Sequence, residues 1–300
     1  MTRNSAPIPL SIVVACRAPW PALRCALDAL YPQAIAAGAE IIVAMSDRSV
    51  MVPEAARLYP AVRWLTGAPD DAVFRLRALA LPQCRGDIVA LTEDHCRVAP
   101  DWCRAILDAH ARHSDAVAIG GAVENDATAS MADWAAFFVV NGMFMRPIRN
   151  GASDRISLQA NVSYKRHALP ESFPPYGLVQ SMFHRELAAR GEKLMATDRM
   201  LVHHVQEMTL RGHSRMHFHN ARATAAFFRS AAPGSRWLAA YLLLFPKLTL
   251  STVSAVLAKR RHLPELAMGF PLIVWLAGCH AAGELVGHFR GPGRSAQHVG

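Results

Sequence analysis

Three hundred residues, 52% hydrophobic and 18% charged, suffice for one large α/β domain with an appendage or for two small domains, and they exclude a disordered chain. The formal net charge of +9 is carried mainly by Arg, because Lys occurs only at Lys165, Lys193, Lys247 and Lys259. Arg is dispersed and only Lys259-Arg260-Arg261 forms a run, so no nucleic-acid recognition module is read here.

The positive charge fits an anionic ligand or an anionic membrane surface, and equally an Arg- and Ala-rich composition. Six cysteines, at 16, 25, 84, 96, 103 and 279, form no CxxC pair and no disulfide framework, which points to a reducing compartment. Oligomeric state is not legible.

Ile8 to Cys16 is apolar but short, and Arg17, Pro19 and Trp20 follow it without a small-residue cleavage site. It is read as a buried first strand, Ile8 to Ala15, not as a signal sequence. A helix is expected over Pro21 to Ala37, stopped by Gly38, then a strand over Glu40 to Met45. A helix over Pro53 to Tyr59, a strand over Val62 to Leu65, a helix over Asp71 to Gln83 and a strand over Asp87 to Leu91 follow. Such alternation builds a mostly parallel sheet with helices on both faces, and ligands bind such sheets beyond the carboxyl ends of the strands. Cys16-Arg17, Ser46 to Ser49 and Thr92 to His95 should therefore converge on one crevice.

Further along, Ala116 to Ile119 reads as a strand ending in a Gly120-Gly121 turn, and Met131 to Phe144 as an aromatic-rich helix. A strand over Leu158 to Tyr164, a helix over Phe183 to Ala189 and a strand over Leu194 to Val202 complete the domain. His213, His217 and His219 are read as a polar face near phosphates. Cys96 and Cys103 are read as unreactive packing on consecutive helical turns.

Composition changes beyond Arg236. Trp237 to Ala258 carries one charge, Lys247, and Leu266 to Gly283 carries no Asp, Glu, Lys or Arg. These lengths approach a bilayer crossing. Basic residues on every flank argue instead for two helices lying in the cytoplasmic leaflet, with a pair of buried helices as the alternative. The domain division is set at 1–230 and 231–300.

Glu93-Asp94-His95 directly follows an apolar strand. Alternate residues of an extended segment share a side, so Glu93 and His95 can grip one divalent cation, although an acidic turn at a strand end is also a common helix cap. The stretch Gly86 to Trp102, ending Ala99-Pro100-Asp101-Trp102, resembles the strand, acidic motif and helix entry of family 2 glycosyltransferases, inverting enzymes of the GT-A fold. Their D-x-D motif appears here as Glu93-x-His95.

The resemblance covers nearly the whole chain. It implies that Cys16, Arg17, Asp47, Arg77 and Asp94 serve the nucleotide, and that Glu93, His95 and His204 hold Mg²⁺ or Mn²⁺. Asn161 and Lys165, in Gln159 to Arg166, would line the sugar or acceptor. The tail Ala282 to His288 is similar to that of membrane-attached members. Implied partners are a nucleotide-diphosphate sugar, a lipid or glycan acceptor and a membrane surface, at the cytoplasmic face of a bacterial inner membrane.

One position departs from the pattern. Counting back from Gly191, the carboxylate that deprotonates the acceptor falls on Gln180, an amide that takes no proton at neutral pH. Glu171 and Asp154 are the nearby alternatives. A catalytically silent nucleotide-sugar-binding relative is the rival reading. A nucleotidyltransferase would need a Gly-rich loop after the first strand, and Cys16 to Trp20 has none.

Overall fold

The computed structural model describes residues 7–46, 53–231 and 238–299. The chain forms two compact units, Met1–Ala122 with Ile148–His203, and Val123–Pro147 with His204–Gly300. The elements in chain order are β1 (Leu10–Cys16), α1 (Trp20–Ala36), β2 (Glu40–Met45), α2 (Pro53–Leu58), β3 (Val62–Thr66), α3 (Val73–Ala80), β4 (Ile88–Glu93), β5 (Cys96–Val98), α4 (Trp102–Arg112) and β6 (Ala116–Asn125). After these come α5 (Met131–Asn141), β7 (Gly151–Ala152), β8 (Val162–Lys165), α6 (Gln180–Ala189), β9 (Lys193–His204), α7 (Leu210–Ala231), α8 (Leu238–Lys259) and α9 (Leu263–Arg290).

The first unit is built on an α/β sheet of order β3-β2-β1-β4-β8-β6-β9-β5, with β7 paired to β9. Strands β3, β2, β1 and β4 are parallel neighbours. All seven residues of β1 are buried, so both faces of the sheet are covered there, as a continuous β-branched run requires. Helix α1 starts with prolines at its amino end and stops where Gly38 takes a φ of +64°, a conformation that a side chain disfavours. The α/β fold class read from the alternation is the one observed.

Two features depart from the sequence reading. Strand β8 inserts antiparallel between β4 and β6, a reversal that strand-helix alternation does not encode. Strand β6 runs straight through Gly120-Gly121, where a turn was expected. A Cβ at Gly121 would collide with the Asn161 amide and the Met200 carbonyl oxygen, so the glycines permit close packing inside a strand.

In the second unit, α7, α8 and α9 pack with α5. Ser130 caps α5, its hydroxyl accepting from the Asp133 amide, and the Asp133 carboxylate accepts from the Met208 amide and pairs with His213 Nε2 at 2.8 Å. His213 and His217 are buried, so these histidines point into the unit and do not form the polar, phosphate-facing surface expected from sequence. Glu124 pairs with Arg146 and Arg261, and Lys259 donates to the Pro147 carbonyl, which ties down part of the basic run.

Helix α9 is long and apolar enough by length and composition to cross a membrane. Met268, Phe270, Trp275, Leu285 and Phe289 on α9 are exposed, as are Phe245, Leu250 and Leu257 on α8.

Candidate functional site

The site is built at the carboxyl end of β4. Val89, Ala90 and Leu91 are fully buried and fix the strand, which delivers Thr92 and Glu93 to the sheet edge. The chain then turns at Asp94-His95 and re-enters the sheet at once as β5. Asp94 is buried and ties this turn to the one after β1: its Oδ2 accepts from the backbone amides of Arg17 and Ala18, both at 2.6 Å. Its Oδ1 lies 2.7 Å from His95 Nδ1. Burial alone would raise the Asp94 carboxyl, but the His95 hydrogen bond and charge with the two amides outweigh it and hold the pKa below the ordinary value. Asp94 therefore shapes the Cys16-Arg17 turn through its backbone.

His95 is held in one orientation by that bond. Burial disfavours its cation, yet the Asp94 hydrogen bond and the Glu93 and Asp94 charges raise its pKa overall. With Nδ1 engaged, Nε2 faces Glu93 Oε2 at 3.6 Å. The other oxygen of Glu93, Oε1, lies 3.6 Å from Arg77 Nη2. Arg77, on α3, is buried to 1% exposure, an uncommon site for a guanidinium. Its Nη1 donates to Gln180 Oε1 at 3.1 Å and its Nη2 to Gln159 Oε1 at 3.0 Å. Burial lowers the Arg77 pKa, partly offset by Glu93, Tyr164 and Asp94.

These residues fit a divalent cation. Each donor is oriented by a second group, Glu93 by Arg77 and His95 by Asp94, the outer-shell arrangement that metal ligands require. The 3.6 Å separation is too long for a hydrogen bond and suits two ligands of one ion. Among the described residues the Cys96 thiol joins them: the ligand atoms of Glu93, His95 and Cys96 all lie within 4.8 Å of one another. Cys96 is on β5 and not on a helix with Cys103, which corrects the helical placement read from sequence, while both cysteines are buried as expected. A three-residue strand carries no periodicity by which this placement could have been read.

The remaining candidates are distributed more widely. Gln180 opens α6 and is buried against Arg77, with its Nε2 lacking a hydrogen-bond partner. Asn161 is fully buried. Its Nδ2 donates to the carbonyls of Ala122 and Met200, and its Oδ1 accepts from Trp102 Nε1, all at 2.8 Å. It braces β6, β9 and α4 and presents nothing to a sugar, contrary to the sequence expectation.

Lys165 is also displaced from its expected role. Because β8 is antiparallel to β4, Lys165 lies opposite Ile88 while Val162 lies opposite Leu91. Ile88 and Glu93 are separated by roughly 17 Å of strand at about 3.3 Å per residue. Lys165 bonds the Ser114 carbonyl and lines a cavity of about 500 Å³ at the amino end of β4, with Asp87, His110 and Arg166. Glu171 lines a second cavity, of about 370 Å³, beside Asp71 and Arg75. Asp154 is exposed in the bend after β7. His204 belongs to the second unit, its ring 6.3 Å from that of Phe137. Asp47 lies outside the described residues.

No protein-family profile and no curated protein matches the chain by sequence. Solved structures match it in fold. The chain is similar to the mannosyltransferase PcManGT from Pyrobaculum calidifontis in complex with GDP-Man and Mn²⁺, with a TM-score of 0.59 at 16% identity over 95% of this chain and 90% of that one. It is also similar to residues 1–349 of S. aureus TarS, with a TM-score of 0.51 at 11% identity over 94% of this chain and 90% of that one. At these identities the likeness establishes a shared, GT-A-like fold.

Proposed function

We propose that this chain is a glycosyltransferase that moves a sugar from a nucleotide-diphosphate donor to a hydroxyl of a lipid-linked or membrane-proximal acceptor, with inversion, in the manner of family 2 enzymes. The observation that carries the reading is the Glu93–His95 pair, each member braced by a second charged side chain, at the carboxyl end of a central strand in a GT-A-like fold. A structural neighbour holds GDP-Man and Mn²⁺, which supports a divalent cation, Mg²⁺ or Mn²⁺, as the cofactor.

Glu93 and His95 would hold the cation. When bound, it neutralises the diphosphate and stabilises the departing nucleotide. The turn after β1, pinned by Asp94, would receive the nucleoside, with Asp47 as a further contact. Arg77 stands beside Glu93 Oε1 and orients the carboxylate. The exposed apolar side chains of α8 and α9 support attachment to a lipid surface, which concentrates a lipid acceptor near the site. Gln180 favours a second reading, a silent nucleotide-sugar-binding relative, because its amide already accepts from Arg77 and takes no proton.

A screen of GDP- and UDP-sugars with Mn²⁺ and bacterial lipid extract tests the proposal. Transfer to a lipid-soluble product is expected with one donor. Donor binding with no transfer to any acceptor would favour the silent relative.

A further inference from the structure

We propose that Cys96 is the third protein ligand of the cation site, making it an oxygen-nitrogen-sulfur tripod that selects a transition ion over Mg²⁺. The inference rests on the same site as the proposed function but concerns only which ion the protein grips.

Three observations converge. The Cys96 sulfur, the Glu93 carboxylate and the His95 imidazole place one donor atom each within a 4.8 Å span. Bonds of about 2.3 Å to sulfur and 2.0–2.2 Å to nitrogen and oxygen set tetrahedral ligands about 3.5 Å apart, so the widest gap closes by up to about 1.3 Å on binding. The exposures are graded: Cys96 is buried at 1%, whereas the side chains of Glu93 and His95 are 16% and 12% exposed. An ion seated on the sulfur would keep its outer side open for a diphosphate oxygen, the arrangement of three protein ligands with one open position.

The supporting shell is also present. Asp94 fixes His95 through Nδ1, and Arg77 stands 3.6 Å from Glu93 Oε1, so both side chains are held from behind. Ligation forms a metal–sulfur bond and releases the thiol proton to solvent. Thiolate sulfur favours Zn²⁺ or Co²⁺, while Mg²⁺ is a hard ion that prefers oxygen and keeps its waters.

The test titrates the full-length protein with Co²⁺ alone and records its absorption. A thiolate-to-cobalt charge-transfer band is expected. Zn²⁺ should bleach it, and a hundredfold excess of Mg²⁺ should not. Cys96→Ser should remove the band and weaken Co²⁺ binding by about 10–100-fold, while Cys103→Ser keeps it.

Zinc X-ray absorption of the unmutated protein needs no variant to fold, and one sulfur at about 2.3 Å is expected. Co²⁺ bound without the band, a band that survives Cys96→Ser, or a zinc shell of nitrogen and oxygen only would each overturn the proposal. Donor turnover with Mn²⁺ and no thiolate band would remove this inference and leave the proposed function. A band without turnover would do the reverse.

Discussion

The two units break the ordinary rule of protein interiors in opposite directions. The first buries charge: Arg77 and Asp94 are 1% and 4% exposed, and both are hydrogen-bonded. The second exposes apolar bulk: Met268, Trp275 and Phe289 on α9 are 61%, 56% and 60% exposed. A buried ion is costly unless paired, and a contiguous exposed apolar face is uncommon on a soluble surface. Each departure carries one of the proposed partners, a charged ligand for the first unit and a lipid surface for the second.

The largest expected effect tests the buried charge. Arg77→Ala leaves Glu93, Gln159 and Gln180 without their shared donor and should cost about 3–5 kcal/mol in urea unfolding. A loss below about 1 kcal/mol would mean that water replaces the guanidinium and that the network is not a sealed one.

The second prediction tests the exposed face. Trp275 and Phe289 follow Met268 by seven and twenty-one residues, whole heptads that keep all three toward one side of α9. A triple change to Glu should lower partition into anionic vesicles by about 100-fold, since each side chain carries on the order of 1 kcal/mol of burial, with the melting temperature little changed. Unchanged flotation with vesicles would remove lipid as the occupant of this face.

A third prediction concerns buried neutral groups of the first unit. Burial pushes His110 and His184 down to about 4, and their hydrogen bonds run to Ser163 and to Tyr164. The unfolded chain takes up protons near pH 6.5 that the folded one refuses until about pH 4. The stability contributed by these groups is therefore full above pH 6.5 and lost as pH falls toward 4. Between pH 7 and 5.5 the two together should cost about 2 kcal/mol, read as a falling urea midpoint, and His184→Gln should flatten the slope. An invariant midpoint over that range would contradict their buried neutral state.

The smallest effect falls on Gln180. Gln180→Glu keeps the acceptor for Arg77, replaces an unpartnered buried amide nitrogen, and supplies a group able to take a proton. Turnover should rise about tenfold or more. No gain would place the acceptor base elsewhere, with Glu171 and Asp154 the next positions to change.

What the sequence revealed, and what it hid, follows from the range of each signal. Strands β1 to β4 were legible because apolar β-branched runs separated by helical periodicity are local patterns. The nearness of Glu93 and His95 was legible because alternate residues at a strand end share a side. Lys165 was misplaced because the antiparallel entry of β8 depends on partners far away in the chain. Asn161 looked like a polar site residue, and only the tertiary structure shows Trp102, Ala122 and Met200 consuming its amide. The Gly120-Gly121 pair signals close approach equally well in a turn or a strand, and Cys96 lies beside Glu93 and His95 on a strand too short to leave a pattern.

The central claim is that Glu93 and His95 jointly hold a cation on a nucleotide diphosphate. Calorimetric titration of GDP- and UDP-sugars into the intact chain and its Glu93→Ala variant, with and without Mn²⁺, addresses it directly. The account predicts binding of one donor only when Mn²⁺ is present, weakened by about 100-fold or more in the variant. Tight donor binding that is indifferent to both the ion and the substitution would contradict it.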